Sequence, residues 1–136
     1  MTQVDTTTND NGYFAPLHNE EFIVLTTYRK NGDAMPTTVW FAEAAGRLYI
    51  TTSSLAGKTK RISNNPHVLV TPSDRIGNTH GTTLPAQARV LPPDEFACAA
   101  AALRQKYGQT YDAMTSQMDA NRQIGSRVFL EVIPPA

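Results

Sequence analysis

The sequence holds a single cysteine, Cys98, which excludes an internal disulfide framework and a multi-cysteine zinc centre. No apolar run approaches the roughly 20 residues that a membrane-spanning helix needs. The stretch Met1-Thr2-Gln3-Val4-Asp5 lacks the basic and apolar regions of a secretory signal, so the expectation is a cytoplasmic protein with no membrane partner. Neither sign of charge is in excess. Lys plus Arg number 12 and Asp plus Glu number 12, a balance that argues against a general nucleic-acid binder. There is no Gly-x-x-x-x-Gly-Lys-Ser/Thr phosphate loop, since Thr52 stands where its first glycine would be, no Gly-x-Ser-x-Gly elbow and no dinucleotide glycine fingerprint. The three histidines, His18, His67 and His80, share no metal-ligand spacing, so no metal is expected. Of these, only His80 sits in a polar loop where a substrate contact is conceivable.

What remains is enough for one domain. The chain has 136 residues, 40% of them apolar, which fits one ordinary core. Residues 1–12 are polar and aperiodic and read as a disordered arm; residues 13–136 form the domain. Phe22–Tyr28 is apolar on both faces at its start, as in a strand buried on two sides. Asn31-Gly32 signals a hairpin into a return strand, Pro36–Ala42. A second turn at Glu43–Gly46 leads to Arg47–Thr52, completing a meander. Lys58–Asn64 reads as a short helix ended by Asn65-Pro66. Val68–Thr71 and Leu84–Leu91 are further strands, with Pro85 near a start or an edge. A helix runs from Pro92-Pro93 to Tyr107, with Phe96, Ala99, Ala100, Leu103 and Tyr107 on one face. Tyr111–Ala120 is a second helix with Met114 and Met118 one turn apart, and Val128–Ile133 is the last strand. Cys98 is expected as a small core residue. The sum is a mainly β, α+β fold: a closed or partly closed antiparallel barrel of about six strands with short helices outside.

The segment Thr51–Pro66 carries the clearest chemical signal. Thr51, Thr52, Ser53 and Ser54 crowd a strand end, Gly57 follows, and Lys58, Lys60 and Arg61 fall in the first turn of a helix. Unpaired amides at a helix start favour an anion. Cations there are opposed by the helix dipole by about 0.3–1 kcal/mol each. A phosphate would reverse that sign, since a charge-assisted hydrogen bond contributes roughly 1.5–3 kcal/mol. The competing reading is a solvated basic face. Trp40, the one tryptophan, alternates with Val39 and Phe41 on a strand, so it faces either a groove or ordinary packing. No general acid, base or nucleophile is visible, so the catalytic residues are unknown; that pattern fits chemistry supplied by a cofactor.

These residues also carry a resemblance. Pro36-Thr37-Thr38-Val39-Trp40-Phe41, Gly46–Ile50, the block Gly57-Lys58-Thr59-Lys60-Arg61-Ile62-Ser63-Asn64-Asn65-Pro66, Ala88–Leu91 and Leu103–Gly108 occur in order across Phe22 to Ile133. The chain resembles the pyridoxamine-phosphate-oxidase-like flavin and deazaflavin oxidoreductases, especially their coenzyme F-420-dependent members. The resemblance implies a split β-barrel homodimer with cofactor sites at the subunit interface. Thr37, Thr38, Val39 and Trp40 would run along the ring. Thr51, Thr52 and Ser53 would contact ring or phosphate. Gly57 would let the phosphate approach; Lys58 would hold it, with Lys60 and Arg61 in support. The partner subunit would complete the pocket near His80. Only Arg75 supplies an arginine in Ser73–Gly81, where many relatives have more. The implied activity is hydride transfer between reduced F-420 and an unsaturated small-molecule redox substrate. FMN is the alternative cofactor, and a non-catalytic flavin- or haem-binding protein the alternative role.

Overall fold

The computed structural model describes residues 12–120 and 126–135, the side chain of Met118 excepted. Except for Gly12, the N-terminal arm lies outside the described residues. Seven strands form one antiparallel sheet: β1 (Phe22–Tyr28), β2 (Ala34–Trp40), β3 (Ala42–Ala44), β4 (Arg47–Ser53), β5 (His67–Ser73), β6 (Leu84–Val90) and β7 (Arg127–Ile133). Three helices accompany them: α1 (Gly57–Asn64), α2 (Phe96–Tyr107) and α3 (Gln109–Ala120).

The sheet order is β2-β1-β5-β6-β7-β4-β3. Its two edges, β2 and β3, are separated in the chain by Phe41 alone. The sheet must therefore curl until its edges come together, as a half-barrel. Here the expected return strand Pro36–Ala42 is corrected. It is two strands, β2 paired with β1 and β3 paired with β4, so the count is seven rather than about six. The break has a physical cause. Phe41 turns its ring into the core, 2% exposed, and its backbone has no ladder partner. Side chains of α2 replace that partner. The Tyr107 hydroxyl accepts from the Phe41 N–H at 3.1 Å and lies 2.7 Å from the Phe41 carbonyl oxygen, while the Lys106 ammonium donates to that carbonyl at 2.8 Å.

The interior of the curl is packed by the inward rows of the strands: Ile23 and Leu25 from β1, Leu48 and Ile50 from β4, Val68 and Val70 from β5, Leu130 and Val132 from β7. Val24 is also buried, as the two-sided apolar start of β1 predicts. The outer face of β4 and β7 is covered by α2 and α3, where Ala99, Leu103 and Tyr111 pack against Tyr49 and Phe129. Cys98 is exposed rather than in this core. It sits one position, about 100° of helix, from the buried Ala99, which turns it outward. Pro85 lies where β6 extends past the end of β7, so its missing N–H costs no ladder bond; the β6–β7 pairing begins at Gln87.

Candidate functional site

Helix α1 packs on β1 and β6 and inserts Ile62 into the core. Thr59 fixes its entry, its hydroxyl donating to the Ser53 carbonyl at 2.8 Å. No side chain caps the first turn at Ala56. An uncapped helix start leaves amides open to an outside acceptor.

The three cations do not act as one row. In this eight-residue helix Lys58 and Lys60 belong to the first turn, whereas Arg61 belongs to the last, contrary to the expectation. Arg61 nevertheless reaches the helix start, because helical side chains lean toward the N-terminus and position i covers i−4. Its guanidinium lies over Gly57 so closely that a Cβ added there would sit 2.6 Å from Nη1. The Arg61 Nε–H donates to the Thr27 hydroxyl at 2.6 Å. Lys58 is half-buried at the same end. Burial, and then repulsion from Arg61, lower its pKa below the ordinary lysine value. Lys60 is exposed and about 200° round the helix from Lys58, away from this pair. Among the described residues no carboxylate forms an ion pair with Lys58, Lys60 or Arg61.

Thr37, Thr38, Val39 and Trp40, expected to run along a ring, lie on the sheet edge next to this pair. Thr27 is opposite Met35 in the β1–β2 register, and Thr37 is two residues, about 7 Å, further along β2. Among the described residues β2 pairs only with β1, so the amides and carbonyls of its other edge have no strand partner. Thr37 and Val39 share the inward side with Leu25 and Ile23 by register, and Thr38 and Trp40 share the other. Gly77, at φ +93°, brings the β5–β6 loop onto Thr38: a Cβ at Gly77 would meet its Oγ1 at 2.9 Å. Trp40 stacks on Tyr107 with ring centroids 4.5 Å apart and planes 11° from parallel, so one of its faces is already covered.

The hydroxyls of β4 are divided by strand alternation. Thr52 follows the inward row of Leu48 and Ile50, and Thr51 and Ser53 follow the other. The Thr51 hydroxyl donates to the Val128 carbonyl at 3.3 Å, and the Ser53 hydroxyl accepts from the Leu55 N–H at 3.1 Å. Ser53 thus shapes the loop into α1. His80 is exposed and placed 2.9 Å from Glu20, tying the β5–β6 loop to the segment before β1.

The family model for pyridoxamine 5'-phosphate oxidase matches residues 13–134. The chain belongs to the pyridoxamine 5'-phosphate oxidase family. No curated protein matches it. Several solved structures share the fold. The heme storage protein HutZ from Vibrio cholerae superposes with a TM-score of 0.66 at 14% identity, over 99% of this chain and 92% of that one. A FAD-binding protein from Mesorhizobium loti gives 0.61 at 16% identity, over 90% and 86%. An F420 reductase gives 0.56 at 23% identity, over 92% and 94%.

Within this oxidase-family fold, two features escaped the sequence reading. Thr27 was signalled only by being a hydroxyl in the otherwise apolar inward row of β1. The second is the α2 pair at the strand break. Lys106 donates to the Glu20 carbonyl at 2.6 Å and sits 3.5 Å from the Phe41 ring centroid. Although its side chain is exposed overall, the ammonium is tucked inward. Burial lowers its pKa to about 8, against the opposing pull of Glu21, Glu20 and Glu43. No group of three or more His, Cys, Asp or Glu side chains that could hold a metal occurs among the described residues.

Proposed function

We propose that this member of the pyridoxamine 5'-phosphate oxidase family is an oxidoreductase that binds a phosphate-bearing ring cofactor, coenzyme F-420, and passes hydride to an unsaturated small molecule. One observation carries the reading: the half-buried Lys58 and the Arg61 guanidinium converge on an uncapped helix start with no carboxylate among the described residues to balance them. Holding two cations against a helix dipole is unfavourable unless an anion completes the site. The fit to a flavin-type group is therefore good at its phosphate end. It is also good along the ring, where the free edge of β2 at Thr37, Thr38, Val39 and Trp40 offers backbone donors and acceptors.

In this reading Lys58 and Arg61 bind the phosphate, Gly57 keeps the approach open, and Lys60 adds long-range positive field. Thr38 and the β5–β6 loop that covers it limit how far the ring slides. Thr51, Thr52 and Ser53 shape the connection between β4 and α1. The bound ring supplies the hydride chemistry; the chain orients it and need supply no acid or base. The solved F420 reductase with this fold supports the choice of F-420.

FMN is the second reading, favoured by the small size of the cation pair: a single terminal phosphate needs no more. A haem reading would draw on an imidazole: His18 is held by Glu43 at 2.7 Å and His80 by Glu20 at 2.9 Å, while His67 is exposed and in no ion pair among the described residues. The same proposal takes the chain as a homodimer whose second subunit closes the ring site, with His80 near the substrate; sedimentation equilibrium tests that part. The test of the function is a side-by-side titration with F-420, FMN and FAD, followed by hydride transfer to quinone-type acceptors. Tight binding of F-420 with turnover supports the reading. A yellow protein as purified supports FMN, and failure of all three carriers to bind overturns the proposal.

A further inference from the structure

We infer that Thr27 is a positioning residue for the phosphate end of the cofactor, acting through Arg61. This rests on the phosphate-site reading above and adds to it a residue outside the α1 block.

The observations are geometric. Thr27 has no exposed surface and is the one polar residue in the inward row Ile23, Leu25, Thr27 of β1. Its hydroxyl donates weakly to the Met35 carbonyl at 3.4 Å and accepts the Arg61 Nε–H at 2.6 Å. A buried hydroxyl in an apolar row needs partners, and here its short bond goes to a cation. That bond fixes the base of the guanidinium. The two terminal nitrogens then lie over Gly57, and the hydrogen bonds among the described residues give them no protein acceptor. A planar fork of this kind suits two phosphate oxygens at once. Without Thr27, nothing in the described hydrogen bonding holds Arg61 at the positive end of its own helix, where the dipole repels it. Gly57 is the complementary half of the device. The atom that a Cβ would strike is the far end of a flexible side chain, so a methyl there displaces the guanidinium and leaves the backbone in place.

The experiment compares each phosphorylated carrier with its phosphate-free form: FMN with riboflavin, and F-420 with 8-hydroxy-5-deazariboflavin. Wild type should prefer the phosphorylated form by at least about a hundredfold, as expected of two cation contacts. Thr27→Val, close in shape but without the hydroxyl, should lower that preference by roughly tenfold while leaving the phosphate-free forms unchanged. Thr27→Ser should restore it. Gly57→Ala should lower it similarly while the melting temperature holds or rises, because alanine is the better helix former. If Thr27→Val fails to fold, Thr27→Ala, which also lacks the hydroxyl, takes its place, and Thr27→Ser remains the control that keeps it. A wild type with no preference for phosphate overturns the functional reading itself. A wild-type preference that survives Thr27→Val overturns the role of Thr27 and leaves the functional reading standing.

Discussion

Replacing Lys58 by methionine keeps the side chain long and removes its charge. In the free protein that charge is held at a cost, since burial and the neighbouring Arg61 both disfavour it. Lys58→Met should therefore leave the free protein as stable as wild type or slightly more so. Cofactor binding should change in the opposite direction. Two unit charges 4 Å apart at an effective dielectric of 20 attract by about 4 kcal/mol. Half-exposure and salt roughly halve that figure, which then agrees with the roughly 1.5–3 kcal/mol of a hydrogen bond to a charged group. A loss of about 2 kcal/mol weakens binding roughly 30-fold. Fluorescence titration with F-420 and FMN reads the affinity, and thermal melts of the free protein read the stability. A dissociation constant within about twofold of wild type would refute the reasoning. So would a fall in melting temperature of more than about 5 °C, which would make Lys58 a structural residue.

Other consequences follow from the packing. Glu131 is 4% exposed and accepts from Arg89 at 2.9 Å, Arg47 at 3.2 Å and Tyr49 at 3.2 Å. Burial pushes its carboxyl up, but these partners together hold it below the ordinary glutamate value. Its contribution should be complete above the unfolded-chain pKa and lost as pH falls through the depressed folded value. Glu131→Gln should cost about 2 kcal/mol in urea unfolding at pH 7 and flatten that acid dependence. Lys106 gives a slope of the same sign in the alkaline range. Its pKa is about 8 when folded and 10.5 as the ordinary value, so stability should rise with pH across that interval, and Lys106→Gln should abolish the rise. Tyr107→Leu removes the ring stacked on Trp40 and the hydroxyl that serves Phe41. It should cost roughly 2–4 kcal/mol and shift the single-tryptophan emission to the red.

Much of the fold was legible because the strands follow period two and the helices carry their own stops, such as Asn65-Pro66 and Gly108. The break at Phe41 was not. Val39-Trp40-Phe41-Ala42 reads as continuous strand, and the groups that replace its ladder partner come from Lys106 and Tyr107, far along the chain. Cys98 was misplaced because an alanine-rich helix has a blurred apolar face. In the candidate site, the Gly57-Lys58 turn was readable from local chemistry alone. That Arg61 folds back over Gly57 depends on Thr27, a long-range contact that no spacing within Thr51–Pro66 reveals. The alternation that separates Thr52 from Thr51 and Ser53 was available in principle, once β4 was extended to Ser53.

The central claim is that Lys58 and Arg61 hold the phosphate of a ring-shaped redox cofactor, and a crystal structure with bound F-420 or FMN tests it most directly. The account predicts phosphate oxygens about 3 Å from the Lys58 Nζ and from both terminal nitrogens of Arg61, with the ring along Thr37–Trp40. A cofactor seated instead in the cleft between Asn19, Glu20, Lys106 and Tyr107, with only solvent at the start of α1, would contradict it.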